Sequence, residues 1–127
     1  MTMSLEQRRA ADAWSVCEDC DKSFVALAKG VPALIMNSGL MQTLAFLESK
    51  GEAHHKDLAR RLRLWLVGQF PDRFAANPSR SSDPGYAAFM EALMNAEPRE
   101  FQALTGEAMA WLRWVRQIAP TRQTQES

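Results

Sequence analysis

The sequence predicts an all-α fold, a single compact bundle of about five to six helices, and three observations lead there. Alanine (19) and leucine (13) far outnumber valine and isoleucine (7 together); the first pair propagates helices and the second fits pleated strands. Apolar residues recur at three- and four-residue spacing along most of the chain. The breaks between these stretches carry helix caps and stops. The 127 residues suit one domain, able to bury roughly two thirds of the surface its unfolded chain exposes. Residues 1–120 are expected to form that domain, with a mobile loop at 71–83 and a polar, frayed tail at 121–127.

Ser4 followed by Gln7 has capping-box spacing and opens a helix predicted to run to about Cys20, with Leu5, Ala13, Val16, Cys17 and Cys20 on its apolar face. A second helix, 24–37, is apolar on most sides. Gly30 and Pro32 lower its propensity and remove a backbone donor, which predicts a kink or short break. Asn37-Ser38-Gly39 is a stop, with Gly39 in a left-handed conformation. The run 40–49 that follows is so apolar that it is expected in the middle of the bundle, and Gly51 ends it. Residues 53–70 place Leu58, Leu62, Trp65, Leu66 and Gln69 on one side. Between 71 and 83, turn residues dominate and Phe74 is the main apolar anchor. Asp83-Pro84 reads as an N-cap and first helical position for a short helix with Tyr86, Phe89, Met90 and Leu93 on one face. Pro98 starts the last helix, whose apolar face is Phe101, Leu104, Ala108, Trp111, Leu112, Val115 and Ile118, and Pro120 stops it.

Fifteen basic and fifteen acidic side chains leave a formal charge of zero. The field of the whole protein therefore does not attract a polyanion, and any nucleic-acid contact has to be local. The longest apolar runs are far short of the roughly 20 residues that span a bilayer. The amino terminus lacks the apolar stretch and cleavage site of a secretory signal, so a cytoplasmic location without a membrane partner is the default expectation.

Chemistry-bearing patterns are sparse. Cys17-Glu18-Asp19-Cys20 has Cys-x-x-Cys spacing, and His54-His55 offers two more ligands for a tetrahedral zinc. Both cysteines fall on an apolar helical face, where a free thiol acts as a small hydrophobe, and adjacent histidines diverge around a helix. A core role is therefore preferred over metal or redox chemistry, and the histidines are read as surface residues. No nucleophile beside a base, buried carboxylate pair or glycine-rich phosphate loop has usable spacing, so no catalytic residue, cofactor or metal site is assigned.

The most informative charge pattern is local. Lys50, Lys56, Arg60, Arg61 and Arg63 face only Glu52 and Asp57 in the same stretch. On a helix, Lys56, Arg60 and Arg63 fall within about 60° of one another, beside the Leu58/Leu62/Trp65 face. They form a basic stripe at the rim of the core, readable as a solvated face or as a phosphate-tracking surface. Arg113 and Arg116, on the outward side of the last helix, are candidates to widen it. Glu18, Asp19 and Asp21 cluster elsewhere, and such opposite polarity suits head-to-tail self-contact.

From Val31-Pro32-Ala33-Leu34-Ile35-Met36-Asn37-Ser38-Gly39-Leu40 through Thr43-Leu44-Ala45-Phe46-Leu47 to Lys50, the sequence resembles the small helical subunit of type III-B CRISPR complexes, the fifth subunit of the Cmr assembly. The resemblance is sharp over 31–50 and extends to the flanking helices in length and order. It implies a non-catalytic structural subunit of an antiviral ribonucleoprotein. Such a subunit stacks into a minor filament beside the guide-binding backbone subunits. The implied partners are guide RNA, target RNA, the backbone and large subunits, and further copies of itself. The family's RNA contacts are diffuse basic side chains, which carry over to Lys50, Lys56, Arg60 and Arg63. The neutral net charge and the 71–83 loop depart from what the family suggests. Two other readings remain beside it: a helical protein-protein adaptor, and a small metal- or redox-responsive regulator.

Overall fold

The computed structural model describes residues 2–74 and 83–124. Six α-helices follow one another among them: α1 (Leu5–Val16), α2 (Lys22–Ser38), α3 (Leu40–Lys50), α4 (Ala53–Gln69), α5 (Tyr86–Met94) and α6 (Pro98–Ile118), with a 3-10 turn at Ala119–Thr121. The all-α bundle is as expected. Most of the segment expected to be a mobile loop, and the last three residues of the tail, lie outside the described residues.

The predicted capping box closes α1: Ser4 N–H donates to Gln7 Oε1 (2.8 Å) and Gln7 N–H donates to Ser4 Oγ (3.1 Å). The helix ends at Val16, not near Cys20. Asp21 is the reason: its carboxylate accepts from Phe24 N–H at 2.8 Å and caps α2, so the chain turns first, through Asp19 at φ 52°. No break occurs at Gly30 and Pro32, for α2 continues through both. A proline inside a helix costs about 3 kcal/mol. Here Val31, Pro32 and Ile35 are all buried, and that packing offsets the missing hydrogen bond.

Gly39 caps the end of α2 and the start of α3 at once. Its N–H donates to Ile35 O (2.8 Å), and its carbonyl accepts from Thr43 N–H (3.2 Å) and Thr43 Oγ1 (2.9 Å). Its φ is positive as expected, but φ 87°, ψ 165° is the extended region open essentially to glycine alone, not the left-handed helical one. Gly51, at φ 70° and ψ 1°, does take the left-handed form and ends α3. Asp83 does not cap α5, which begins at Tyr86 after Gly85; its carboxylate accepts from Gly85 N–H (3.0 Å) and pairs with Arg63. The predicted α5 face is kept, with Phe89 and Leu93 buried and Phe74 stacked on Phe89 at 5.0 Å.

The middle of the bundle is α6, not α3. α6 packs most extensively, along α1 and α2 and onto α4, whereas α3 buries one face on α2, α4 and α5 and leaves Phe46 and part of Met41 toward solvent. Along the α1/α6 seam the partners climb in step. Arg9 bonds Glu107, Asp12 accepts from Trp111, Cys17 donates to Val115 O and Cys20 donates to Ala119 O, always 98 or 99 residues apart. A constant offset means that the first and last helices run side by side in the same direction. Thr124 N–H donates to Cys20 O (2.8 Å), and Arg122 stacks on Trp14 while donating to Trp14 O (2.8 Å), so residues 121–124 are docked, not frayed.

Glu107 is buried and accepts from Arg9 Nε and Nη2 (2.8 and 2.7 Å) and from Trp65 Nε1 (3.0 Å), joining α6, α1 and α4. Burial alone would raise its pKa. The Arg9 and Trp65 hydrogen bonds and the charges of Arg9 and Arg8 together outweigh burial and hold the carboxyl below its ordinary range.

Nothing lies within 4 Å of a Cβ built at Gly39, so Gly39→Val is opposed by backbone strain alone and should cost about 1–3 kcal/mol. Gly30→Ala, in open space on a helix, should stabilise by about 0.5–1 kcal/mol. Circular dichroism melts check both, and an unshifted Gly39→Val midpoint would refute the cap. Because the folded pKa of Glu107 is depressed, its contribution is complete above the ordinary glutamate value of 4.5 and is lost as pH falls through the lower folded value. Glu107→Gln should therefore melt lower at neutral pH and lose less on acidification than the parent. Parallel acid profiles would refute the assignment.

Candidate nucleic-acid interface

The basic residues singled out in the sequence come to different ends. Lys56 and Arg60 are exposed one turn apart on α4. Lys56 has no ion pair among the described residues, while Arg60 makes only a half-exposed contact with Asp57 at 3.4 Å. Together with Glu48, Asp57 and Arg63 they line a surface concavity of about 410 Å³ between α3 and α4. Lys50 is exposed at the end of α3, its ammonium 5.4 Å from the centre of the Phe46 ring.

Arg63 behaves differently. It is 8% exposed, and its Nε and Nη2 donate to the two carboxylate oxygens of Asp83, both at 2.7 Å. Burial acts to raise the pKa of Asp83, but the Arg63 hydrogen bonds, the Gly85 N–H and the charges of Arg63 and Arg60 hold it below the ordinary value. The guanidinium is thus already neutralised and fixes the start of α5 to α4. Arg73 similarly pairs with Glu100 of α6. Both are bidentate-capable arginines acting inside the fold.

Arg113 and Arg116 are exposed on α6, but the concavity that gathers Lys56, Arg60 and Arg63 does not include them. Sequence reasoning left Arg61 out of the stripe, although it is half-exposed beside Asp57 (3.3 Å) and lines two further concavities. Its i, i+4 spacing from Asp57 was the available signal. One of those concavities, about 290 Å³, is lined by Glu18, Asp19, Asp21, His54, Asp57 and Arg61 among others. The acidic cluster therefore flanks the same helix as the basic stripe, with Asp57 on both borders, and Asp21 is already engaged as a cap.

Cys20 and His54 line one concavity, but among the described residues neither cysteine joins the histidines as a ligand set. Both cysteines are buried, donating to backbone carbonyls of Val115 (3.8 Å) and Ala119 (3.3 Å). Burial, then the neighbouring Cys20, pushes the Cys17 thiol up to about 12, and burial raises Cys20 as well, so neither is a ready thiolate. The surface reading fails for His55 but not for His54, which is part-exposed and lines a concavity. His55 is buried, its ring 4.2 Å from that of His54 and edge-on to Phe46 at 6.2 Å, and its Nδ1 has no hydrogen-bond partner. Burial first, then the charges of His54 and Lys50, lowers its pKa against the pull of Glu52.

Among the described residues no helix is long and apolar enough to cross a membrane. The fold is similar to that in the crystal structure of a CRISPR-associated Cmr5 family protein from Thermus thermophilus. The TM-score is 0.71 at 24% identity, over 94% of this chain and 97% of that one. The family profile described as CRISPR-associated protein (Cas_Cmr5) matches residues 5–121, from the first residue of α1 to the end of the 3-10 turn after α6. The chain belongs to the Cmr5 family and is a non-catalytic structural subunit of type III CRISPR complexes.

Proposed function

We propose that this subunit stacks with further copies of itself beside the backbone subunits of a type III-B complex and touches the guide and target RNA backbone through Lys56 and Arg60. Lys50, at the end of α3, adds a further contact, and Arg113 and Arg116 form a second, separate one. The observation that carries this reading is the concavity beside α4. Two exposed cations sit one turn apart there, on a chain whose Arg63 at that site and Arg9 in the bundle are paired internally. Ammonium and guanidinium groups neutralise phosphates without reading bases, so the contact is blind to sequence. A neutral domain with so few contacts binds RNA weakly alone; copies lining one channel act together and make retention strong.

The half-exposed Arg60–Asp57 contact is no obstacle, because exposed ion pairs are worth about 0–1 kcal/mol and a phosphate can replace the carboxylate. The acidic concavity at Glu18, Asp19 and Asp21, beside α4, supports copy-to-copy contact.

In the assembled complex, Lys56→Ala with Arg60→Ala should weaken target-RNA retention equally for unrelated guide-target pairs. The log-log salt slope should shrink by about 0.7–0.9 for each charge removed from each phosphate contact. Thermal melting should stay near the parent value, since alanine suits an exposed helical site. Arg63→Ala should do the reverse, costing about 3 kcal/mol of stability by stranding Asp83. Unchanged slope and affinity in the assembled double variant would favour the adaptor reading.

A further inference from the structure

We propose that Glu52, His54 and His55, at the turn between α3 and α4, form a binding site for a divalent cation of the zinc class. These three residues each offer one ligand atom, and the three atoms lie within 4.8 Å of one another. Two imidazoles and a carboxylate are the donor set that borderline cations such as Zn²⁺ prefer over Mg²⁺ or Ca²⁺, which favour all-oxygen sites. The set differs from the one the Cys-x-x-Cys spacing suggests, since both thiols are bonded into the core.

Two further features point to a ligand. Glu52 holds the N-cap position of α4 at φ −76°, ψ 160°, yet its side chain makes no capping hydrogen bond, so the carboxylate remains available. The Nδ1 of His55 is buried without a hydrogen-bond partner, a state that normally costs about 1–3 kcal/mol. A buried polar atom in that condition calls for a partner, and a cation held with Glu52 and His54 would supply one. The ring itself is held in place by the edge contact with Phe46 and by the neighbouring His54 ring, tilted 36° from it.

Closing the site takes side-chain adjustment. Zinc binds imidazole and carboxylate at about 2.0–2.2 Å, which places tetrahedral ligand atoms about 3.4 Å apart. Reaching that from separations of up to 4.8 Å takes a new rotamer of the exposed Glu52 for its own distances and an adjustment of the half-buried His54 for its distance to His55. Three protein ligands leave the fourth position to water. The positive end of α4 and the Lys50 ammonium oppose a cation here, so binding is weaker than in a closed structural zinc site. Once bound, the ion ties the exposed entrance of α4 to a buried ring and brings positive charge into the turn between Lys50 and Lys56.

The test uses the full chain with any affinity tag removed and Zn²⁺ as the probe. Calorimetry and metal analysis should give about one Zn²⁺ per chain, and Mg²⁺ should give no heat. Saturating Zn²⁺ should raise the melting temperature through preferential binding to the folded state. Because His55→Ala removes a buried side chain and can unfold the turn, His54→Ala and Glu52→Gln serve as the second and third variants; each should weaken Zn²⁺ by at least about tenfold while the circular dichroism spectrum stays native. Cys17→Ala with Cys20→Ala should leave the stoichiometry unchanged. Absence of zinc binding, zinc lost only in the cysteine variant, or affinity unaltered by both His54→Ala and Glu52→Gln would each overturn the site.

Discussion

Glu107 is a carboxylate held inside the bundle by two Arg9 nitrogens and the Trp65 indole, and the register of three helices depends on it. A buried ion pair adds little net stability over well-packed apolar residues, because desolvation offsets most of the Coulombic gain. Its value lies elsewhere. Any slip of α1 or α4 along α6 separates Glu107 from a partner and strands a buried charge, which costs far more than a lost apolar contact. The Asp12–Trp111 hydrogen bond, at 2.7 Å, and the two cysteine-to-carbonyl contacts repeat the same offset along the α1/α6 seam. Apolar packing makes the helices associate, and this polar ladder selects one alignment among many that a leucine-rich surface would allow.

The same internal pairing explains how a chain of zero net charge can present a basic surface. Arg9, Arg63 and Arg73 have carboxylate partners within the fold. Each internal pair removes one charge of each sign from the outside and leaves the remainder unevenly distributed. On α4 the remainder is Lys56, Arg60 and Arg61, with Asp57 as the only acid of that helix beside them. Net charge is a poor guide to such a surface, since it averages over pairs that solvent and ligands do not meet.

What could be read from the sequence were features whose partners lie close in the chain. The Ser4/Gln7 box, the Gly51 stop and Pro98 at the start of α6 are set within one turn, and all three stand where the pattern put them. The buried faces of α5 and α6 follow from periodicity alone. Asp21 was legible by the same logic but lay inside a run that looked helical, so the end of α1 was placed too late. The centrality of α6 could not be read at all: α3 is more apolar per residue, but α6 is the longer helix and makes the most extensive packing, along α1 and α2. Position in a bundle is a matter of how many faces find partners, which periodicity within one helix does not encode.

Arg63 shows why the candidate site was only half legible. On the helical wheel it stands beside Lys56 and Arg60 in a band about 60° wide. That band straddles the edge of the core, and a wheel gives direction without saying where the neighbouring element ends. Asp83, twenty residues later and just ahead of α5, decides the matter by covering Arg63 and supplying both oxygens to its guanidinium. Lys56 and Arg60 lie outside its reach and stay exposed. His55 follows the same rule with the opposite outcome. It occupies the first turn of α4, where a polar residue ordinarily meets water, but Phe46 from α3 covers the ring and no donor or acceptor comes with it. The chemistry this small bundle presents is therefore set by which polar side chains near its core edge acquire a partner from a distant segment and which are left without one.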